Sequence, residues 1–279
     1  MDKEFWVSIS NNEYAVPEGY SLENLTELLF SYLGSTDPEL RDEIAYVVYA
    51  NWLKRDLYTG EAIQSHIDIL LSNLEKGIGE TDSDTVFLRT FSILLLAEIV
   101  HNDNKKSFLE REQIKGILEK GLGYLEAERD PRGHVPVKGW AHALAHTADL
   151  LLVLGHNRNT DEADLLNMLN AVSDKMVHST SHVYIHGEDD RLASAVIETL
   201  RRDLIPLERV EDWARSLTAP DGLDWKGVYI DEEKNRAFQN TRNLLRSIHL
   251  HLLLEEEGIP HRERLISIFL EALRNLKPY

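Results

Sequence analysis

The residue types best suited to chemistry in this 279-residue chain are gathered between positions 130 and 149. The run reads Asp130-Pro131-Arg132-Gly133-His134-Val135-Pro136-Val137-Lys138-Gly139-Trp140-Ala141-His142-Ala143-Leu144-Ala145-His146-Thr147-Ala148-Asp149. Its prolines and glycines make a shaped loop that feeds a helix. On that helix His142, His146 and Asp149 stand at i, i+4 and i+7. At about 100° per residue they share one stripe. The remaining helical positions are almost all apolar, so the helix is expected to be buried nearly all round. Buried imidazoles and a buried carboxylate need partners, because an unpaired polar group costs a few kcal/mol. Histidine is also concentrated here: His134, His142, His146, His156, His178, His182 and His186 are seven of the twelve in the chain.

Three kinds of chemistry fit this pattern. In the first, His142, His146 and Asp149 ligate one divalent ion (zinc, manganese or nickel), and a metal-bound water is the nucleophile of a hydrolase. Two histidines at i and i+4 share a zinc in metalloproteases, but the glutamate of that motif is missing: Ala143, Leu144 and Ala145 lie between the two. A base would have to come from Asp130, Glu188 or Asp189. In the second, Trp140 stacks a bound ligand and the imidazoles hydrogen-bond it. In the third, the cluster is structural: Asp149 orients His146, and Arg191 or Arg132 pairs with Asp149.

The elements that position these residues are helices. Apolar residues recur at helical spacing throughout, and alternating runs are scarce. One set of helices is expected to begin near 38, 84, 138, 190 and 234. A second set falls near 21–33, 61–77, 110–128, 161–177 and 206–217, with a last helix at 260–276. Asp37-Pro38-Glu39 opens one of them, and Asp82 and Asp84 read as caps of another. A step of about 50 residues with two helices per step matches a HEAT- or armadillo-like α-α superhelix. The expectation is an all-α chain of about five helical hairpins plus a terminal helix, forming a single domain over 1–279. Residues 1–20 are expected to be less regular.

The first set carries charge on otherwise apolar helices: Arg41 and Asp42, Arg89, Arg191, Arg242 and Arg246. This suggests a concave groove that takes a protein or peptide partner, or a small anionic ligand. The leading functional expectation is therefore a non-enzymatic binding protein. The residues expected to contact its ligand are Arg41, Arg89, Asp130, Arg132, Trp140, His142, His146, Asp149, Arg191 and Arg246. The loop 219–229, with Trp225 and Tyr229, reads either as a lid or as a tryptophan tucked against the next hairpin.

Composition narrows the classes further. Forty-eight acidic against thirty basic side chains leave a formal charge of −18. That sign disfavours a general nucleic-acid binder and an anionic membrane surface. The absence of cysteine removes disulfides, thiolate ligands and cysteine nucleophiles. The start, Met1 to Tyr14, lacks a basic-then-apolar leader, and the apolar runs Ile93–Val100 and Leu150–Leu154 fall short of the ~20 residues of a spanning helix. A cytoplasmic location is expected. Phosphate loops, dinucleotide fingerprints and serine elbows are not found.

The central run also resembles a known pattern. Asp130-x-Arg132-Gly133-His134-Val135, then Lys138-Gly139-Trp140-Ala141-His142-x-x-Ala145-His146-x-x-Asp149, is similar to the central motif of an α-helical bacterial family of unknown function. Further stretches resemble that family in order: Leu40-Arg41-Asp42-Glu43, Arg89-x-Phe91-Ser92, Glu188-x-x-Arg191-Leu192-Ala193 and Asn243-Leu244-Leu245-Arg246-Ser247. His134 stands where the family often has tyrosine. The resemblance implies an all-helical, HEAT-like fold and supplies no activity or cofactor.

Overall fold

The computed structural model describes residues 1–179, 181–220, 225–255 and 257–276. Apart from one short hairpin, the regular structure among them is helical. It comprises α1 (Lys3–Asn11), α2 (Leu22–Tyr32), a π-helical segment (Glu39–Tyr46) that runs directly into α3 (Val47–Lys54), α4 (Gly60–Asn73), α5 (Thr85–Lys106), α6 (Arg111–Ala127), α7 (Ala143–His156), α8 (Glu162–Val177), α9 (Glu188–Arg201), α10 (Leu207–Ser216), α11 (Glu232–Leu254) and α12 (Arg262–Asn275). The described chain clusters into two compact units. One is Met1–Leu109 with Ala127–His146; the other is Glu110–Glu126 with Thr147–Tyr279.

The first unit is built around α5. Residues such as Val86, Phe87, Phe91, Leu95, Leu96, Ile99 and Val100 are buried on several of its sides. By length and composition α5 is apolar enough to cross a membrane, but 72% of its apolar window is buried inside the protein. It stops at Ser107, whose left-handed φ of 55° breaks the helical ladder. The Asp103 carboxylate then accepts the amides of Phe108 and Leu109 at 2.8 and 2.6 Å. Within the first twenty residues Lys3–Asn11 is helical and 12–20 is not. Asp2 accepts the amide of Phe5, and α1 buries Trp6 and Ile9. Trp6 packs edge-on to Tyr32 and lies 6.4 Å from Trp52. One capped turn with two large apolar anchors suffices to order this segment.

Two local expectations are corrected. Asp84 does not cap α5; the Ser83 hydroxyl accepts the Thr85 amide instead, and the Asp84 carboxylate takes the Lys138 ammonium at 2.7 Å. The helix expected from 138 begins only at Ala143. Before it lies a hairpin, β1 (His134–Val135) and β2 (Gly139–Trp140), antiparallel with His134 opposite Trp140 and Val135 opposite Gly139. Val137 and Gly139 both have positive φ, so the backbone turns where a helix would have to continue.

In the second unit α11 packs on α8, α9 and α12. α8 starts with a capping box between Asp161 and Asp164. The Arg202 guanidinium donates to the carbonyls of Gly155, Asn157 and Thr160, satisfying acceptors in the last turn of α7 and in the connection to α8. Residues 221–224 of the expected lid lie outside the described residues. Trp225 itself is buried, edge-on to Phe238, and donates its indole N–H to the Leu217 carbonyl.

Candidate functional site

The hairpin is the centre of the site, and its shape is set by unusual backbone. Val137 at its tip has φ +69°, Gly139 has +78° and His142 has +50°. The Lys138 amide closes the turn on the Val135 carbonyl at 3.1 Å. Beyond the strands the pairing continues, with the Ala141 amide on the Gly133 carbonyl and the His142 amide on the Arg132 carbonyl. A side chain at Gly139 would stand 2.9 Å from Pro38 Cβ and 3.1 Å from Arg41 Nη2, so only glycine allows this approach.

Rings run inward from the hairpin in sequence. Trp140 lies across from His134, with ring centroids 5.0 Å apart at 79°. It stacks on His142 at 4.3 Å and 22°. His142 meets His146 edge-on at 5.9 Å, and His146 meets Phe91 at 5.1 Å. The Arg41 guanidinium lies 4.7 Å from the Phe91 centroid and 4.2 Å from that of Phe87. The ladder therefore runs from a wholly buried cation to a tryptophan that is 39% exposed. His146 Nδ1 also lies 3.2 Å from the Thr90 carbonyl.

Four charged clamps hold this arrangement. Arg41, with no exposed side-chain surface, donates to the carbonyls of Ser35 at 2.7 Å and Lys138 at 2.9 Å and pairs with Asp42. Burial lowers its pKa, opposed by Asp42; burial likewise raises that of Asp42, opposed by Arg41. Arg132 grips both oxygens of Asp130 and donates to the Ser83 carbonyl at 2.7 Å. The Asp130 hydrogen bonds raise the Arg132 pKa further. Arg89, also without exposed surface, binds Glu128 through Nε at 2.7 Å and Nη2 at 3.1 Å, and donates to the Lys76 carbonyl. Glu128 in turn accepts the amides of Arg129 and Asp130. The fourth clamp is Lys138 on Asp84.

Residues 74–250, which take in the hairpin, the rings from Phe87 inward and three of the four clamps, match a single family. The chain belongs to the family described as Protein of unknown function (DUF2785). No curated protein and no solved structure matches it. Within this DUF2785 chain, seven of the expected site residues lie in the first unit: Arg41, Arg89, Asp130, Arg132, Trp140, His142 and His146. Three of them are enclosed. Arg41, Arg89 and Asp130 are buried and spend their polar groups on internal partners, so they shape the site from beneath and do not present a surface to a ligand. His142 precedes α7 in left-handed conformation, its carbonyl accepting the His146 amide at 3.0 Å. The helical i, i+4 stripe therefore lacks its first member.

The second unit holds the other three. Asp149 on α7 accepts Arg191 Nη1 at 2.7 Å, one of the two pairings offered by the structural reading; Arg132, the other, pairs with Asp130. Arg246 is exposed on α11. Its neighbour Arg242 lies over the Phe238 ring at 5.3 Å. Among the described residues, no group of three or more His, Asp and Glu side chains is placed to hold a metal ion. Sequence reasoning missed Val137, Phe87, Phe91 and Glu128. Phe91 stood in the Arg89-x-Phe91-Ser92 stretch without a role, and Glu128 had a physical signal: a buried arginine on an apolar helix demands a carboxylate, and Glu128 stands next to the motif.

Proposed function

We propose that this DUF2785 protein is a non-catalytic binding protein that takes a protein or peptide partner on the 134–142 hairpin. The observation that carries this reading is Val137. It is a β-branched residue at φ +69°, and it is 93% exposed. Left-handed backbone costs such a residue about 1–2 kcal/mol. Burial returns nothing, because the side chain touches solvent. Strain held in place by surrounding clamps, with an exposed tryptophan three residues on, fits a pre-organised contact surface. The small-anion version has less support, since Arg41 and Arg89 are enclosed. We also read the helices as a HEAT- or armadillo-like array. In support, the π-helical segment, α5, α7, α9 and α11 begin at residues 39, 85, 143, 188 and 232.

The test is selection of peptides from a displayed library on the wild-type protein, followed by affinity measurement on Val137→Gly and Trp140→Ala. Glycine removes the strain at 137, so Val137→Gly should match or exceed wild-type stability by up to ~1 kcal/mol. The same variant should weaken selected peptides about tenfold or more. Failure to enrich any peptide, or equal binding by both variants, overturns the proposal. So does purified, untagged protein that retains about one zinc, manganese or nickel ion per chain and loses it in His142→Ala, which would favour the metal reading.

A further inference from the structure

The first unit carries a second concavity that the hairpin does not use. It is a cleft of about 620 Å³ between the C-terminal half of α2, the turn that follows it, the end of α4 and the start of α5. Its floor and one wall are apolar, from Phe30, Leu88 and Ile69, the last of which is 42% exposed. Gly34 lets the turn lie down on Leu88: a Cβ there would sit 3.3 Å from Leu88 Cβ. Two opposite charges face this space, Glu27 from α2 and Lys76 from the segment after α4. Among the described residues neither has an ion-pair partner; the Lys76 ammonium donates only to Asn73 Oδ1, at 2.8 Å.

The Lys76 side of the cleft is fixed from behind. The Asn73 amide donates to the Ser92 hydroxyl at 3.0 Å, and both groups are buried. The Lys76 carbonyl accepts Arg89 Nη1 at 2.9 Å, and Arg89 is itself locked by Glu128. A lysine on a free turn would lose its rotamer and backbone freedom on binding; here the backbone part is already spent.

The geometry points to a binding site for a zwitterion with an apolar body, an amino acid or short peptide with aliphatic side chains. Its carboxylate would meet Lys76, its ammonium Glu27, and its side chains the Phe30, Ile69 and Leu88 surface. An apolar floor in a cleft lined by one acidic and one basic side chain disfavours simple anions, which Glu27 repels, and simple cations, which Lys76 repels. This site is separate from the hairpin surface and stands or falls independently of it.

The experiment is calorimetric titration of the full chain with leucyl-leucine, N-acetyl-leucyl-leucine and leucyl-leucinamide. Wild type should bind the zwitterion saturably at millimolar or lower concentration, and each blocked form about tenfold more weakly. Lys76→Met should erase the penalty for amidation alone, and Glu27→Gln the penalty for acetylation alone. Ile69→Asp, at an exposed position, should abolish binding while leaving the thermal transition in place. Absence of saturable binding by wild type overturns the proposal. Equal affinity for blocked and unblocked forms, or wild-type affinity in Ile69→Asp, does the same.

Discussion

Arg41 and Arg89 in the first unit, and Arg191 and Arg246 in the second, are read alike from the sequence, as cations on helices of the first set. Arg41 and Arg191 each follow or adjoin acidic residues on their helices, and in the structure the two pairs are different devices. The first pair has no exposed side-chain surface, and their donors go to carbonyls and to an acidic partner. The Arg191–Asp149 pair has side chains 42% and 31% exposed, and Arg246 is open to solvent. Charge in an apolar helix thus does not by itself mark a binding groove. What decides its role is whether the fold encloses the guanidinium and supplies internal acceptors to it. Where it does, the arginine is a strut; where it does not, the arginine stays on the surface.

The largest test of that contrast is Arg89→Met. The substitution leaves the 4%-exposed Glu128 carboxylate facing a thioether in place of a guanidinium. Removing one partner of a buried pair costs about 3–5 kcal/mol. Denaturant unfolding should show that loss, and Arg89→Met with Glu128→Gln should recover part of it, because the stranded charge is gone. A loss under about 1 kcal/mol would place Arg89 with the surface arginines.

A buried base without an acid partner should behave in the opposite way. His66 is 8% exposed, packed between Phe30, Tyr49 and Tyr58, with the Tyr49 hydroxyl 3.2 Å from Nδ1. Burial pushes its pKa down from 6.5 to about 4. The unfolded imidazole takes a proton near 6.5 and the folded one only near 4, so its neutral form favours the fold above that window. Stability should fall as pH drops through it, by roughly 2–3 kcal/mol in all. Urea midpoints measured across this range should be flatter in His66→Phe. An unchanged slope would mean that His66 is protonated in the fold and held like the arginines.

Most helices were legible because apolar periodicity and caps are local. α8 and α11 begin at Glu162 and Glu232, within two residues of the expected 161 and 234. The hairpin was not legible, since two strands of two residues carry no period, and Pro-Val-Lys-Gly reads as loop or helix start alike. The π-helical turn of Glu39–Tyr46 likewise leaves no mark in side-chain spacing. At the site, Trp140, His142 and His146 were legible by type. Their packing was not: the Phe91 and Arg41 that complete the ladder come from 49 to 105 residues away along the chain, and no local rule links them. The strain at Val137 is invisible in sequence for the same reason: the next residue, Lys138, is held by Arg41 and Asp84, which lie 97 and 54 residues from it along the chain.

The smallest expected effect belongs to Arg191→Ala, and its smallness is informative. The Asp149–Arg191 bond is short at 2.7 Å, yet both side chains are partly solvated. Water screens the attraction, and two side chains must be immobilised to make it, so such pairs contribute about 0–1 kcal/mol. Arg191→Ala should therefore unfold within that margin of wild type, and raising the salt concentration should shrink the difference further. The Arg89→Met penalty should hardly respond to salt, because no ions reach that pair. If Arg191→Ala instead cost as much as Arg89→Met, hydrogen-bond count would matter more than burial, and the distinction between strut and surface arginine would collapse.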